Sequence, residues 1–240
     1  MPRIDRNNQT MRPVSFQAGF TKHAEGSVLA CTGETKVLCT ASITEGVPKF
    51  LKDSQQGWLT AEYGMLPRST HTRCDRESFR GKQTGRTVEI QRLIGRSLRN
   101  CINLSLIPDL TIVLDCDVIQ ADGGTRTTAI NGCMVALILA LQHRQYQKKL
   151  SVDPICHLIC AMSLGVVEQQ VRLDLDYEED SQAEVDSNIV LTEHGDIVEI
   201  QGTAERKPLT SSQLLAMLEL ATMKKDYLLQ KMRETCSITS

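Results

Sequence analysis

Apolar and polar residues recur along the chain at two periods, and the changes between them mark out its elements. In "GSVLACTGETKVLCTASI" (26–43) two apolar runs meet at "TGET", the pattern of a β-hairpin. Pro48, Pro67 and several glycines then break the pattern, which predicts a loop, a short strand near 58–65 and a long basic loop up to 84. From 85 the period is helical. Ile90, Ile94, Leu98 and Cys101, with Leu93 and Ile102, form one stripe, and Arg92, Arg96 and Arg99 fall on the other face of a helix that begins near Arg86. "LTIVLDCDVI" (110–119) is β-branched, follows Pro108 and predicts a buried strand. "AINGCMVALILALQH" (129–143) is apolar nearly all round and predicts a helix inside the core.

In the second half, "ICHLICAMSLGVV" (155–167) and "VRLDLDY" (171–177) predict paired strands. In the latter, Val171, Leu173, Leu175 and Tyr177 alternate with Arg172, Asp174 and Asp176. "NIVLT" (188–192) and "DIVEIQG" (196–202) flank "EHG" as another hairpin, and an amphipathic helix runs from about Ser211 to Glu234. Hairpins with helices between them predict an α+β fold with mixed or antiparallel sheets rather than a doubly wound parallel one. No repeat or low-complexity linker divides the chain, so 1–240 reads as a single domain. The first 26 residues carry no clear period, and 1–13 read as a partly ordered arm.

Composition narrows this picture in three ways. With 41% hydrophobic but only 4% aromatic residues, the core must be built from Leu, Ile, Val, Ala, Met and Cys. The nine cysteines include no CxxC pair, and those inside runs such as "VLCTA" and "ICHLICA" read as small buried hydrophobes of a reduced protein. Cys156, His157 and Cys160 hint at a metal site, but no second ligand pair follows at zinc spacing, and the five histidines show neither triad nor metal spacing. Without a signal-peptide pattern or a run of 18 apolar residues, a soluble cytoplasmic protein with no membrane partner is expected.

The net charge of −2 conceals a strong asymmetry. Residues 67–99 hold nine Lys/Arg against three acids, and 172–186 hold seven acids against Arg172 alone. Between them, "QADGGTRTTAINGC" (120–133) joins a strand to a helix. Gly123 and Gly124 let an anion approach the backbone at a helix N-terminus, and Arg126 adds a planar fork of donors. The bland alternative is a turn capped by Thr127 or Thr128. "TGRTVEI" sets a second arginine, Arg86, at the start of a second helix, where a positive charge opposes the macrodipole unless an anion is bound. The irregularly spaced arginines of "PRSTHTRCDRESFRGK" (67–82) suit a flexible polyanion, although a solvated basic loop looks the same. In "LDLDYEEDSQAEVDSN" (173–188), Asp180 and Asp186 bracket a five-residue turn. They are expected to meet at a hairpin mouth, where paired carboxylates bind Mg²⁺ or protonate a leaving group, unless the turn is only an acidic surface.

"GSVLACTGETKVLCTASI", "GWLTAEYGMLPRSTHTR", "GRTVEIQRLIGRSLR", "DCDVIQADGGTRTTAINGC", "LDLDYEEDSQAEVDSNIV" and "VEIQGTAE", in order over about 14–205, together closely resemble bacterial ribonuclease PH. The resemblance implies an α+β fold of βαβα halves like the second domain of ribosomal protein S5, in a homo-hexamer built as a trimer of dimers. It implies a phosphorolytic 3′→5′ exoribonuclease, a tRNA nucleotidyltransferase that trims tRNA precursors and other RNA 3′ ends with inorganic phosphate as co-substrate and Mg²⁺ as cofactor. Phosphate-binding positions then fall on Arg86, Gly124, Thr125 and Arg126, catalytic and metal positions on Asp180 and Asp186, and RNA-contacting positions on Arg68, Arg73 and Arg76. Two stretches depart from the family pattern, "RIDRNNQTMRPV" in place of an "RPDGR"-like start and "RKPLT" after "GTAE"; neither is expected to touch the site. The rival readings are a non-catalytic RNA-binding ring subunit of the same fold and a small-molecule kinase. The latter would need a glycine-rich nucleotide loop that the chain lacks.

Overall fold

The computed structural model describes residues 3, 6–146 and 150–238; part of the expected arm, Met1, Pro2, Ile4 and Asp5, lies outside the described residues. Five strands, β1 (Val14–Ala18), β2 (Gly26–Thr32), β3 (Thr35–Glu45), β4 (Trp58–Met65) and β5 (Leu110–Gln120), form a first sheet in the order β1-β2-β3-β5-β4. The predicted hairpin is β2–β3, with Thr32 opposite Thr35 across its turn. β1 is an additional strand that the sequence did not announce, because its short, half-exposed run "VSFQA" carries almost no period.

β4 alone runs parallel to its neighbour, β5. A parallel pair needs a crossover, and α2 (Gly85–Asn100) supplies it, after the single turn of α1 (Glu77–Arg80). α2 buries Ile90, Leu93, Ile94 and Leu98 as its stripe predicts. On its outer face Arg96 pairs with Glu199, while Arg99 lies over the Trp58 ring.

The second sheet is antiparallel, β7-β6-β8-β9, from β6 (Ile159–Val167), β7 (Gln170–Leu173), β8 (Val185–Thr192) and β9 (Ile197–Ala204). Between the sheets lies α3 (Thr125–Tyr146), which packs on β2, β3 and β6, so it has no side left for polar residues. α5 (Ser211–Cys236), opened by a capping box of Thr210 and Gln213, covers β6, β7 and β8. One continuous apolar cluster runs through both sheets, and Tyr63 is its one fully buried aromatic ring among the described residues.

The expected strand 171–177 is corrected. β7 stops at Leu173, Asp174 turns the chain with φ +56°, and the one-and-a-half-turn helix α4 (Tyr177–Gln182) follows, its Asp176–Glu179 capping box satisfying both ends of the first turn. The burial does not alternate either: Arg172, Leu173, Asp174 and Leu175 are all buried, and Tyr177 is 49% exposed. Arginines of the N-terminal arm make this possible. Arg12 grips both carboxylate oxygens of Asp174 with its side chain at 2.7 and 2.9 Å and with its backbone N–H at 2.7 Å, Arg6 adds a fourth donor at 3.0 Å, and Arg3 and Arg172 meet on Glu179.

The cysteines behave as core hydrophobes. Cys39, Cys101, Cys116, Cys133, Cys160 and Cys236 are buried and all nine are free. Cys156, His157 and Cys160 do not form a site: burial pushes the Cys160 thiol up to about 12, while Cys156 is exposed and His157 lies beside Asn100. Cys39, Cys116 and Cys133 do bring their sulfurs within 4.8 Å, but mutual thiol hydrogen bonds and burial hold them well above the usual thiol range. The cluster lies where β3 and β5 pack against α3.

Candidate active site

The corner between β5 and α3 is made by two consecutive glycines in the left-handed region, Gly123 at φ +74° and Gly124 at φ +66°. A side chain on Gly123 would strike the backbone of Leu175 and Asp176. The Gly123 carbonyl accepts from Thr35 Oγ1 at 2.6 Å and from Arg12, which also donates to the carbonyls of Asp122 and Leu175. Arg12 thereby fastens this loop to the chain that leads into α4.

Helix α3 starts at Thr125, four residues earlier than its apolar period suggested. Neither Thr127 nor Thr128 is the cap: Thr127 Oγ1 donates to Gly124 O at 3.0 Å, and Thr128 Oγ1 to Thr32 Oγ1 at 3.0 Å. The first N–H groups therefore keep their capacity for an anion, and no acid stands in the first turn. Thr125 is held by the buried Tyr63 hydroxyl at 3.1 Å.

The second helix start is that of α2. Thr84 caps it, Glu77 accepts from the hydroxyls of Thr84 and Thr87 at 2.8 and 2.6 Å, and its first turn also lacks acids. Arg86, its second residue, has no hydrogen-bond or ion-pair partner among the described residues.

Asp180 and Asp186 do meet, though not at a hairpin mouth. Asp180 projects from α4 and Asp186 from β8. A helix stands where a turn was expected because "YEEDSQ" is capped by Asp176 and its Glu179 is neutralised by Arg3 and Arg6 of the arm. Arg86, Gly124, Thr125, Arg126, Asp180 and Asp186 all line one cavity of about 340 Å³, together with Tyr177, Ser163, Asn188 and Glu205.

Charge in the cavity is unevenly matched. Arg126 reaches Glu89 at 3.2 Å and stands 4.0 Å from Asp186, and its Nε is buried with no hydrogen-bond partner. Burial, then the nearby Asp180 charge, pushes the Asp186 carboxyl up to about 6 in spite of Arg126 and Arg86. Burial likewise raises Asp180, against the pull of the same two arginines. The arrangement has donors left over for an anion and two desolvated carboxylates facing them.

The three loop arginines are not gathered with these residues. Arg68 lines an adjoining depression of about 430 Å³, Arg73 pairs with Asp75 at 3.2 Å in solvent, and Arg76 opens α1. A larger depression, about 850 Å³, includes Arg76 but is walled by Glu62, Asp115 and Asp117 of the open sheet face. Its acids disfavour a phosphate.

Both departures from the family pattern lie outside the cavity lining, but each contributes to its supports. Arg12, within "RIDRNNQTMRPV", holds the glycine loop, and Arg206 of "RKPLT" donates to the carbonyl of Ser181 at 3.2 Å. The roles of Arg12, Asp174 and Glu89 left no local signal, since each is defined by a partner far away in sequence. Glu205 stood within the quoted "GTAE", and Tyr177 was read as a strand residue.

Two family models match in succession, the 3′ exoribonuclease family, domain 1, over residues 10–141 and its domain 2 over 157–224. Among solved structures, rice (Oryza sativa) Rrp46 superposes with a TM-score of 0.78 at 21% identity, covering 97% of this chain and 98% of that one. The Archaeoglobus fulgidus exosome with RNA bound to the active site gives a TM-score of 0.78 at 20% identity, covering 95% and 92%. An archaeal exosome core gives 0.74 at 19% identity, covering 95% and 89%. The expected α+β ribonuclease PH fold is the fold observed.

Proposed function

The chain belongs to the 3′ exoribonuclease family, and from that premise we propose that it is a phosphorolytic enzyme of the ribonuclease PH type. It trims tRNA precursors and other RNA 3′ ends, transfers the terminal nucleotide to inorganic phosphate and releases a nucleoside diphosphate. The observation that carries the reading is the convergence of two helix starts, two arginines and two aspartates from distant segments on one cavity.

Arg86, Arg126 and the first N–H groups of α3 hold inorganic phosphate against the last phosphodiester of the RNA. A phosphate oxygen forms a bond to the scissile phosphorus as the bond to the 3′-oxygen breaks, and that oxygen leaves on the shortened RNA and takes up a proton. Two anions must be brought together here, so positioning and charge neutralisation are most of the catalysis. Asp180 and Asp186 would hold Mg²⁺: both are desolvated and raised in pKa, a pair whose repulsion a hard cation relieves, and such sites complete its coordination with water and substrate oxygens. When bound, the ion would supply positive charge that favours departure of the 3′-oxygen. In this reading the chain works in the cytoplasm as a homo-hexamer, a trimer of dimers, which sedimentation equilibrium would read as six protomers. Among the described residues no helix is long and apolar enough to cross a membrane.

RNA labelled in its backbone with ³²P, incubated with unlabelled phosphate, should yield labelled nucleoside diphosphates, and Arg126→Ala should lose about 10²–10³-fold in kcat/KM for phosphate. Nucleoside monophosphates would mean hydrolysis instead, and RNA bound without any product would mean a non-catalytic ring subunit. Replacing Arg68, Arg73 and Arg76 together with Ala should flatten the salt dependence of RNA binding by up to about 2 in log–log slope, at about 0.7 per contact with a single strand. An unchanged slope would take the RNA path away from this loop.

A further inference from the structure

Tyr177 stands half-exposed at the rim of the catalytic cavity, and its hydroxyl has no hydrogen-bond partner among the described residues. Its position is well defined. It is the first residue of α4, its backbone N–H is 3.4 Å from Asp122 Oδ1, and it precedes Asp180 by three residues, which sets both side chains on one face of the helix. Across from it, 5.4 Å between ring centroids and tilted by 53°, lies His71 of the basic loop.

His71 belongs to the neighbouring depression, whose walls also include Arg68, and the two hollows share Thr70 and Ala121. The aromatic pair therefore marks the seam between a pocket of phosphate ligands and carboxylates and a pocket with one exposed arginine, whose two acids are already engaged, Asp122 by Arg12 and Glu34 by Gln120.

We propose that Tyr177 and His71 form a stacking platform for the nucleobase at the 3′ end of the RNA, from which the upstream strand leaves through the Arg68 depression. The proposal rests on the phosphorolytic reading and adds to it a seat for the terminal base and a direction for the strand. An aromatic face stacks on any base, so the platform is tolerant of sequence.

The test uses a short single-stranded oligoribonucleotide with 2-aminopurine at its 3′ end, bound to the full chain without phosphate. Stacking should quench the fluorophore on wild-type protein. Tyr177→Ala should abolish the quenching and weaken binding about 5- to 150-fold, the range for one stacked base. Tyr177→Phe should keep both, since the ring and not the hydroxyl is used, and His71→Ala should lose part of each. Tyr177 is exposed, so its truncation leaves the fold intact, which a melting curve verifies.

Unchanged quenching and affinity in Tyr177→Ala, or Phe as weak as Ala, overturns the platform. If wild-type protein quenches the probe but releases no nucleoside diphosphate when phosphate is added, the catalytic reading fails and the platform stands. If it releases diphosphate while Tyr177→Ala binds normally, the platform alone fails. Failure of wild-type protein to bind the probe overturns both.

Discussion

Asp186→Asn is expected to abolish phosphorolysis while making the unliganded protein more stable. The carboxylate lies in a cavity where burial and Asp180 raise its pKa to about 6, so its charged form is disfavoured by the fold that holds it. Asparagine keeps the shape and removes the charge, and with it the means of holding Mg²⁺ or passing a proton to the 3′-oxygen. A loss of about 10²–10⁴-fold in kcat follows if it serves in either way. The folded pKa lies above the unfolded value, so the folded chain keeps this proton longer. Stability from this group is thus full at low pH and falls as pH rises from about 4 to about 6. Melting curves should show Asp186→Asn ahead of wild type at pH 7 and level with it at pH 4. The kcat/KM profile should fall below about pH 6 if the carboxylate is the working form, whereas a fall above that pH would assign Asp186 the part of general acid. Retained activity, or a variant less stable at pH 7, would count against the site.

Asp174→Ala carries the second-largest expected effect, on stability. Burial by itself would lower the Arg12 pKa, but the hydrogen bond and charge of Asp174, with Asp122 and Asp176, raise it, so Arg12 remains a buried cation. Deleting Asp174 leaves Arg12 without its buried counter-charge and takes from Arg6 its 3.0 Å partner. Removing one partner from a buried ion pair costs about 3–5 kcal/mol, or roughly 6–20 °C in Tm for a chain of this size. Asp174→Asn should cost less, because asparagine also tolerates the φ of +56° and keeps a carbonyl oxygen for Arg12. Since Arg12 also holds the Asp122 and Gly123 carbonyls, the KM for phosphate should rise in both variants. A melting temperature within a degree or two of wild type would show that the arm is not tied down through Asp174.

The two effects point in opposite directions for a physical reason. Asp186 is a charge kept in a desolvating place for chemistry, and its removal relieves the fold. Asp174 is a charge whose desolvation is already compensated by three donors of Arg12 and one of Arg6, and its removal breaks a closed set.

The fold was legible wherever the pattern was unbroken. The β2–β3 hairpin, α2, β5, the β8–β9 hairpin and α5 fall where period and turn residues put them, because a buried strand or helix must repeat every two or 3.6 residues. The glycine corner was legible as a strand-to-helix turn, since two successive glycines before a helix mark backbone in the left-handed region. What failed was the strand expected at 171–177. Its alternation is genuine in the sequence, but residues 172–175 are all buried, and the charges among them are met from outside the segment: Asp174 by Arg12, 162 residues away, and Arg172 by Glu168 and Glu179.

By itself, then, the sequence determined the residue types at the site and the elements that carry them, because propensity and period are local. The tertiary structure alone decided that six residues share one cavity while Arg73 and Arg76 point elsewhere, that the carboxylates sit on a helix and a strand, and that Tyr177 faces His71. Each of those facts is a distance between segments far apart along the chain, and such distances are set by how the two sheets close on α3.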